Sequence, residues 1–322
     1  MKKVVVISGG TGNFVVLSGL KNHHLDLSAI VSMADDGGST GVLRDELGVL
    51  PPGDVRQCLV ALSDSSRLMR SLMNYRFENG GLGGHSFGNL LLSALEKVTG
   101  SFEKAIEEVG KILTIKGKVI PVTTNETRLK MILNDRTVLE GEEKIYLSQQ
   151  IEKGYSSIYL EPFPTVNPRA VEEIINADLV VLGPGGLYTA LIPCLLVEGI
   201  SKALKETKAK KVFIVNLMNR KGQTPGFKVS HYLNELKKFT HGTEFDYIVV
   251  NNGQPPERLL EFYSSEGEPV ENDLPLQNSL IQTDLLSDEL KEVQKTDLLK
   301  RNLIRHDPDK LAKELMKIVD RL

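Results

Sequence analysis

The chain has 322 residues, of which 41% are hydrophobic and 25% are charged. This is enough apolar material for one large globular domain, which excludes a disordered or fibrous chain. Lys+Arg 39 against Asp+Glu 42 gives a net charge of −3, which excludes a chain-wide basic field for nucleic acid or an anionic membrane.

Short apolar runs recur along the chain, and helical patterns separate them. Runs that are apolar at every position are typical of parallel strands buried on both faces. Strands that alternate with helices predict an α/β fold with a Rossmann-like, doubly wound, mainly parallel sheet, in one domain over 1–322. The predicted strands are 4–7, 29–31, 179–182, 212–215 and 247–250, and the helices between them include 13–22, 171–177, 192–205 and 229–238.

Two regions depart from this alternation. Residues 54–113 contain no convincing strand and predict a helical insertion over one edge of the sheet. Residues 118–160 predict a small extended subregion, an antiparallel patch in which Asn134-Asp135-Arg136 turns between two strands. A last amphipathic helix is predicted from Pro308.

The cysteine pattern and the apolar runs bear on the location. Cys58 and Cys194 lie far apart without any CxxC pair, which argues against a disulfide scaffold and favours a reducing cytoplasm. The uncharged stretch 179–197 is interrupted by glycine and proline, so we expect no membrane span. The sequence leaves a homo-oligomer open.

Two glycine-rich loops follow predicted strands and are candidate phosphate sites, because glycines let successive N–H groups approach an anion. Two such loops at one sheet edge indicate a ligand with more than one phosphate. Tight structural turns are the alternative for both. The candidate residues are Gly9, Gly10, Thr11, Gly12 and Asn13 in the first loop and Gly183, Gly185 and Gly186 in the second.

A third glycine-rich loop carries adjacent carboxylates, Asp35 and Asp36, which could bind a cation or accept ligand hydroxyl groups. Helix capping alone would explain Ser39, Thr40 and Asp54. Further polar candidates for ligand contacts are Arg44, Arg56, His85, Asn89, Asn216, Asn219, Tyr263 and Arg305.

Taken together, these segments resemble the YvcK family of bacterial gluconeogenesis factors, within the larger family that includes the 2-phospho-L-lactate transferase CofD. The resemblance runs over nearly the full length. Its motifs are GGTG at 9–12, DDGGSTG at 35–41, LPPGDVRQCL at 50–59, Tyr75-Arg76-Phe77, GHSFGNLLL at 84–92, ADLVVLGPGGLYTALIPCLLV at 177–197 and RHDPDKLA at 305–312.

The resemblance implies a Rossmann-like fold, a cytoplasmic location and binding of UDP-N-acetylglucosamine without turnover. It also implies a role in growth on gluconeogenic carbon sources and in cell shape, with cell-wall or morphogenesis proteins as partners. By motif position, Gly10, Thr11 and Gly12 would hold phosphate, and Arg305 would contact the nucleotide sugar. The chain departs from the family pattern at Gly186, where serine is usual, and at Gln223, where glutamate is usual.

Two hypotheses of different class follow. In the first, the protein is a regulatory binding protein without catalytic residues or a required cofactor. In the second, it is a CofD-like transferase in which Asp35, Asp36 or Asp54 holds Mg²⁺ against a nucleoside diphosphate-linked donor. An ordinary Rossmann oxidoreductase ranks last, because the GxGxxG fingerprint is absent from the first loop.

Overall fold

The computed structural model of the protein describes residues 1–287 and 304–322. Its strands are β1 (Lys2–Ser8), β2 (Leu25–Val31), β3 (Lys118–Pro121), β4 (Arg128–Leu133), β5 (Val138–Glu140), β6 (Tyr155–Glu161), β7 (Leu179–Leu182), β8 (Lys210–Ile214), β9 (Tyr247–Asn251) and β10 (Leu280–Thr283).

The helices lie between these strands and at the end of the chain. They are α1 (Gly10–Leu20), α2 (Gly38–Leu47), α3 (Pro52–Leu62), α4 (Arg67–Asn74), α5 (Phe87–Thr99), α6 (Phe102–Leu113), α7 (Glu142–Leu147), α8 (Pro168–Ile175), α9 (Ile192–Leu196), α10 (Ile200–Glu206), α11 (Val229–Phe239), α12 (Glu257–Tyr263) and α13 (Pro308–Val319).

The main sheet has seven parallel strands in the order β10-β9-β8-β7-β1-β2-β3. The chain builds outward from β1 through β2 to β3, and then returns to the other side of β1 with β7. Because parallel crossovers are right-handed, this reversal places helices on opposite faces of the sheet. The mainly parallel α/β fold predicted from the sequence is therefore confirmed.

The middle of the sheet forms the core, as the uninterrupted apolar runs predict. All four residues of β7 are at most 1% exposed, and Val4–Ile7 in β1 are equally buried. Among the helices that cover the sheet, α1 packs against α3 and α13. The predicted apolar face of α13, Leu311, Leu315, Ile318 and Val319, is buried.

The two irregular regions take different forms. The insertion after β2 consists of α2 to α6, and α3 packs on β2 and β3. The extended region divides, because β3 pairs in parallel with β2 in the main sheet while β4, β5 and β6 form a separate antiparallel sheet. The turn at 134–136 joins β4 to β5, and Arg136 has a φ of 71° there.

The helix predicted over 192–205 is interrupted. A π-helix over Leu187–Leu191 precedes α9, and Gly199, with a φ of 105°, separates α9 from α10. Among the described residues, none of the single helices combines the length and apolarity needed to cross a bilayer; the pair Leu187–Leu196 and Ile200–Glu206 does so by composition, but it is bent by 77°.

Candidate functional site

A cavity of about 350 Å³ opens at the carboxyl ends of the central strands. Its wall includes the loops that follow β1, β7 and β8, together with α7 from the antiparallel region. The strand order reverses between β1 and β7, which is where open α/β sheets bind their ligands. The cavity therefore lies at the expected place for a ligand site.

The first glycine-rich loop passes directly into α1. Gly10, Thr11 and Gly12 form the first turn of this helix, whose N–H groups have no acceptor within the helix itself. A side chain at Gly12 would collide with the carbonyl oxygen of Pro184. Glycine is thus required at position 12, where the β1 loop meets the β7 loop. The Ser8 hydroxyl donates a hydrogen bond to the same Pro184 carbonyl oxygen at 2.8 Å.

The second glycine-rich loop is held mainly by internal bonds. Gly183 N–H donates to the Ile7 carbonyl at 3.0 Å. Gly185 N–H donates to Asn216 Oδ1 at 3.0 Å, and Asn216 Nδ2 donates back to the Gly185 carbonyl at 2.8 Å. Since these two N–H groups already have acceptors, the β7 loop has fewer donors for an anion than its glycine content indicates.

Acidic side chains lie beside the first loop. A methyl group on Gly10 would come within 2.6 Å of Asp54 Oδ1, and one on Gly53 would collide with Asp35 Oδ2. Glu142 of α7 lines the same cavity. Burial raises the pKa of Asp35, although hydrogen bonds from Thr40 and Gly37 act in the opposite direction and lower it. Burial also raises the pKa of Glu142, and the negative charges of Asp35 and Asp54 raise it further.

Asp36 lies outside the cavity wall, although Asp35 beside it is part of that wall. Its carboxylate accepts a hydrogen bond from Glu143 N–H at 2.9 Å and lies 3.9 Å from Arg128. Arg44 is also turned inward, with bonds to the carbonyls of Asp35 and Thr127. Both residues therefore support the loop that carries Asp35.

Four other sequence candidates form a polar cluster outside the cavity wall. The Ser39 hydroxyl lies 3.1 Å from His85 Nδ1 and accepts a bond from Asn89 Nδ2 at 3.3 Å. Arg56 Nε donates to Asn89 Oδ1 at 2.9 Å. These contacts join α2, α3 and α5 behind the site.

Asn13 is directed into the core beneath the first loop. Its side-chain amide donates to the Ser8 carbonyl at 3.0 Å and to the Ile30 carbonyl at 3.3 Å. Asn13 is fully buried, so it connects the carboxyl ends of β1 and β2. This contact fixes the point from which the Gly9–Gly12 backbone enters the cavity.

Another part of the cavity wall carries apolar side chains. Leu217, Met218, Tyr263 and Ile304 belong to a small separate hydrophobic cluster and also line the cavity. Asn219 lies here as well, but Nδ2 donates to the Phe227 carbonyl and Oδ1 accepts from the Tyr232 hydroxyl. The polar and apolar side chains of the wall together suit a ligand with a charged part and a flat or weakly polar part.

The structure thus divides the sequence candidates into two groups. Those on the cavity wall are Gly9, Gly10, Thr11, Gly12, Asp35, Asp54, Gly185, Gly186, Asn216, Asn219, Tyr263 and Arg305. Those outside it are Asn13, Asp36, Ser39, Thr40, Arg44, Arg56, His85, Asn89 and Gly183.

Sequence reasoning did not single out several residues of the wall, among them Gln57, Glu142, Tyr146 and Arg220. Gln57 accepts a bond from the Thr11 hydroxyl at 3.1 Å. The spacing of Glu142 and Tyr146, one helical turn apart, is the one signal that could have placed two of them on the same face. Arg220 stands in a loop without a comparable signal.

The carboxylates of the cavity wall bear on metal binding. Within residues 1–287 and 304–322, no three His, Cys, Asp or Glu side chains are grouped as a metal site would need. Mg²⁺, however, is often held by one or two carboxylates together with phosphate oxygens. Asp54, which lies beside the first loop, and Asp35, which lies beside Gly53, both line the cavity and fit that smaller donor set.

Comparisons with known proteins agree with this architecture. The family model for the 2-phospho-L-lactate transferase CofD matches residues 4–299. The gluconeogenesis factor of Bacillus subtilis is 36% identical over 321 residues, which cover 98% of each chain. The chain belongs to the gluconeogenesis factors of the CofD family.

Other members of the family are similarly close. The gluconeogenesis factor of Halalkalibacterium halodurans is 42% identical over 272 residues, which cover 84% of each chain. A crystal structure of a UPF0052 family protein from Bacillus halodurans matches with a TM-score of 0.87 at 36% identity, and the match covers 98% of this chain and 99% of that one. The YvcK and CofD resemblance inferred from the motifs is confirmed.

Proposed function

We propose that this gluconeogenesis factor is a regulatory protein that binds a nucleotide sugar, UDP-N-acetylglucosamine, in the cavity at the switch point. The observation that carries the proposal is the junction of the Gly9–Gly12 turn with the β7 and β8 loops around one cavity. The start of α1 suits a diphosphate, because N–H groups and the helix dipole both favour negative charge there.

The apolar side chains of the cavity wall suit the rest of the ligand. A base or sugar would lie against Met218, Tyr263 and Ile304, since aromatic and aliphatic side chains favour flat or weakly polar groups. The uridine and N-acetylglucosamine assignments rest on the family resemblance. On the same basis we propose a cytoplasmic role in growth and morphogenesis on gluconeogenic carbon sources, with cell-wall or morphogenesis proteins as partners.

A CofD-like transferase is the second candidate, and the carboxylates of Asp35 and Asp54 favour it. Two carboxylates beside a diphosphate repel it unless a cation lies between them. Bound Mg²⁺ would neutralise phosphate charge during transfer to an acceptor hydroxyl. Asp35 and Asp54 would hold the ion, and the first turn of α1 would orient the phosphates.

Calorimetric titration with UDP-N-acetylglucosamine, in Mg²⁺ and then in chelator, tests both candidates. The binding proposal expects saturable binding in both buffers and intact ligand after long incubation. A ligand that is cleaved, or converted when acceptor alcohols are added, would favour the transferase. Failure to bind any nucleotide sugar in either buffer would overturn the proposed function.

A further inference from the structure

Arg220 is a charged residue of the cavity wall whose side chain is fixed in place but lacks an acceptor. Its guanidinium carbon lies 3.6 Å from the centroid of the Tyr146 ring. Its Nε is buried and has no hydrogen-bond partner. Within residues 1–287 and 304–322, no carboxylate forms an ion pair with it, although Glu142, Glu143 and Glu266 line the same cavity.

The position of Arg220 is set from both sides. Gln223, which is 4% exposed, donates from Nε2 to the Tyr146 carbonyl at 2.8 Å and to the Ile145 carbonyl at 3.3 Å. This ties the end of α7 to the loop after β8. Arg220 N–H donates to the Thr224 hydroxyl at 3.0 Å, so the backbone on its own side is also held.

An arginine in this state is ready to bind an anion. Stacking on an aromatic ring holds the plane of the guanidinium and leaves its in-plane N–H donors for an acceptor. A partly buried donor group without acceptors is uncommon and indicates a partner that binds there. The fork of donors matches the two oxygens of a carboxylate or phosphate.

We propose that Arg220 is a ligand-binding residue that pairs with an oxyanion of the nucleotide sugar, and that Tyr146 and Gln223 are its positioning residues. This deepens the proposed function and rests on it. In UDP-N-acetylglucosamine the oxyanion is the diphosphate, because the sugar is neutral; a nucleotide sugar with a uronic acid would offer a carboxylate to the same fork.

The test measures dissociation constants by calorimetry for the wild type, Arg220→Gln and Arg220→Lys. The probes are uridine, UDP, UDP-N-acetylglucosamine and UDP-glucuronate. Lys221→Gln is the matched control, because it removes the same charge from the exposed neighbouring position of the same loop. Thermal melting of each variant establishes that it is folded.

If Arg220 pairs with the diphosphate, Arg220→Gln weakens all three diphosphates about tenfold or more and leaves uridine unchanged. If it pairs with a sugar carboxylate, the loss is confined to UDP-glucuronate. Either result supports the proposal, provided that Lys221→Gln binds like the wild type. Tyr146→Leu should reproduce part of the loss, whereas Tyr146→Phe, which keeps the ring, should not.

Equal affinities of wild type and Arg220→Gln for all four probes would overturn the role of Arg220 and leave nucleotide binding standing. If the wild type binds none of the probes, the proposed function fails, and inorganic pyrophosphate then tests Arg220 alone. Tighter binding of pyrophosphate by the wild type than by Arg220→Gln would support the oxyanion role. Equal or absent binding would overturn it.

Discussion

The Asp36 carboxylate accepts a hydrogen bond from the backbone N–H of Glu143 at 2.9 Å. This contact connects the loop after β2 with the start of α7, which carries Glu142 and Tyr146 into the cavity. Asp35, the preceding residue, lines the cavity itself. Two adjacent carboxylates therefore have different roles, one facing the ligand site and one holding its wall.

Replacement of Asp36 by alanine should destabilise the fold by about 1 to 2 kcal/mol, because a partly buried carboxylate that accepts a bond from a helix N–H is lost. Urea unfolding at neutral pH measures this. Asp45→Ala is the control, since Asp45 is an exposed partner of the same Arg128 and should change stability by less than about 0.5 kcal/mol. Similar losses in the two variants would mean that the Glu143 contact contributes little.

Replacement of Gly12 by alanine should disturb the junction of the two glycine loops. The new methyl group would collide with the Pro184 carbonyl, and strain of this kind costs about 1 to 3 kcal/mol. We expect a lower melting temperature together with weaker nucleotide binding. Gly81→Ala, where an added methyl group meets nothing within 4 Å, should behave like the wild type; a neutral Gly12→Ala would contradict the close approach.

The acidic side chains of the cavity predict how the stability of the ligand-free protein depends on pH. Burial and the nearby charges of Asp35 and Asp54 raise the pKa of Glu142 above its ordinary 4.5. At pH values between 4.5 and the raised pKa, Glu142 is protonated in the folded state and ionised in the unfolded state. The free energy of unfolding therefore falls as pH rises from 4.5 through the raised pKa.

Glu142→Gln should remove this contribution, so the variant should lose less stability than the wild type as pH rises. Urea unfolding of the ligand-free protein in chelator, across mildly acidic to neutral pH, measures the difference. Glu46→Gln changes an exposed carboxylate on α2 and should keep the wild-type slope. Identical slopes for wild type and Glu142→Gln would show that Glu142 is not protonated in this window.

Arg305→Ala should weaken binding of UDP-N-acetylglucosamine by about 1 to 3 kcal/mol if Arg305 pairs with the diphosphate. Arg305 lines the cavity, and its motif position in the family predicts this contact. Calorimetry compares it with Arg321→Ala, an exposed arginine near the chain end that should bind normally. An unchanged affinity for Arg305→Ala would remove this side chain from the site.

The sequence was most informative where burial is uniform. The strand predicted over 179–182 matches Leu179–Leu182, because a strand buried on both faces is apolar at every position. The edge strand Leu280–Thr283 was missed, since its residues are only partly buried and one is exposed. Lys118–Pro121 was assigned to the antiparallel patch, because a short strand gives no sign of which sheet it joins.

The sequence predicted which backbone loops reach the cavity better than it predicted which side chains line it. Glycine runs after β1 and β7 indicated the loops at the cavity, since close backbone approach leaves few other choices of residue. The local sequence does not distinguish Asp35 from Asp36, because Asp36 is held by the N–H group of Glu143, which lies 107 positions away. Arg220 is likewise recognisable only once the Tyr146 ring, from helix α7, is seen to stack on its guanidinium.

The order of the cavity residues along the polypeptide has a consequence for biosynthesis. The wall begins at Gly9 and includes Arg305 and His306, so a ribosome must synthesise the chain from residue 9 through residue 306 before the cavity wall is complete. A truncated product would keep much of the central sheet and still lack one wall. Metabolite capture would therefore distinguish chains that extend past His306 from chains that terminate before it.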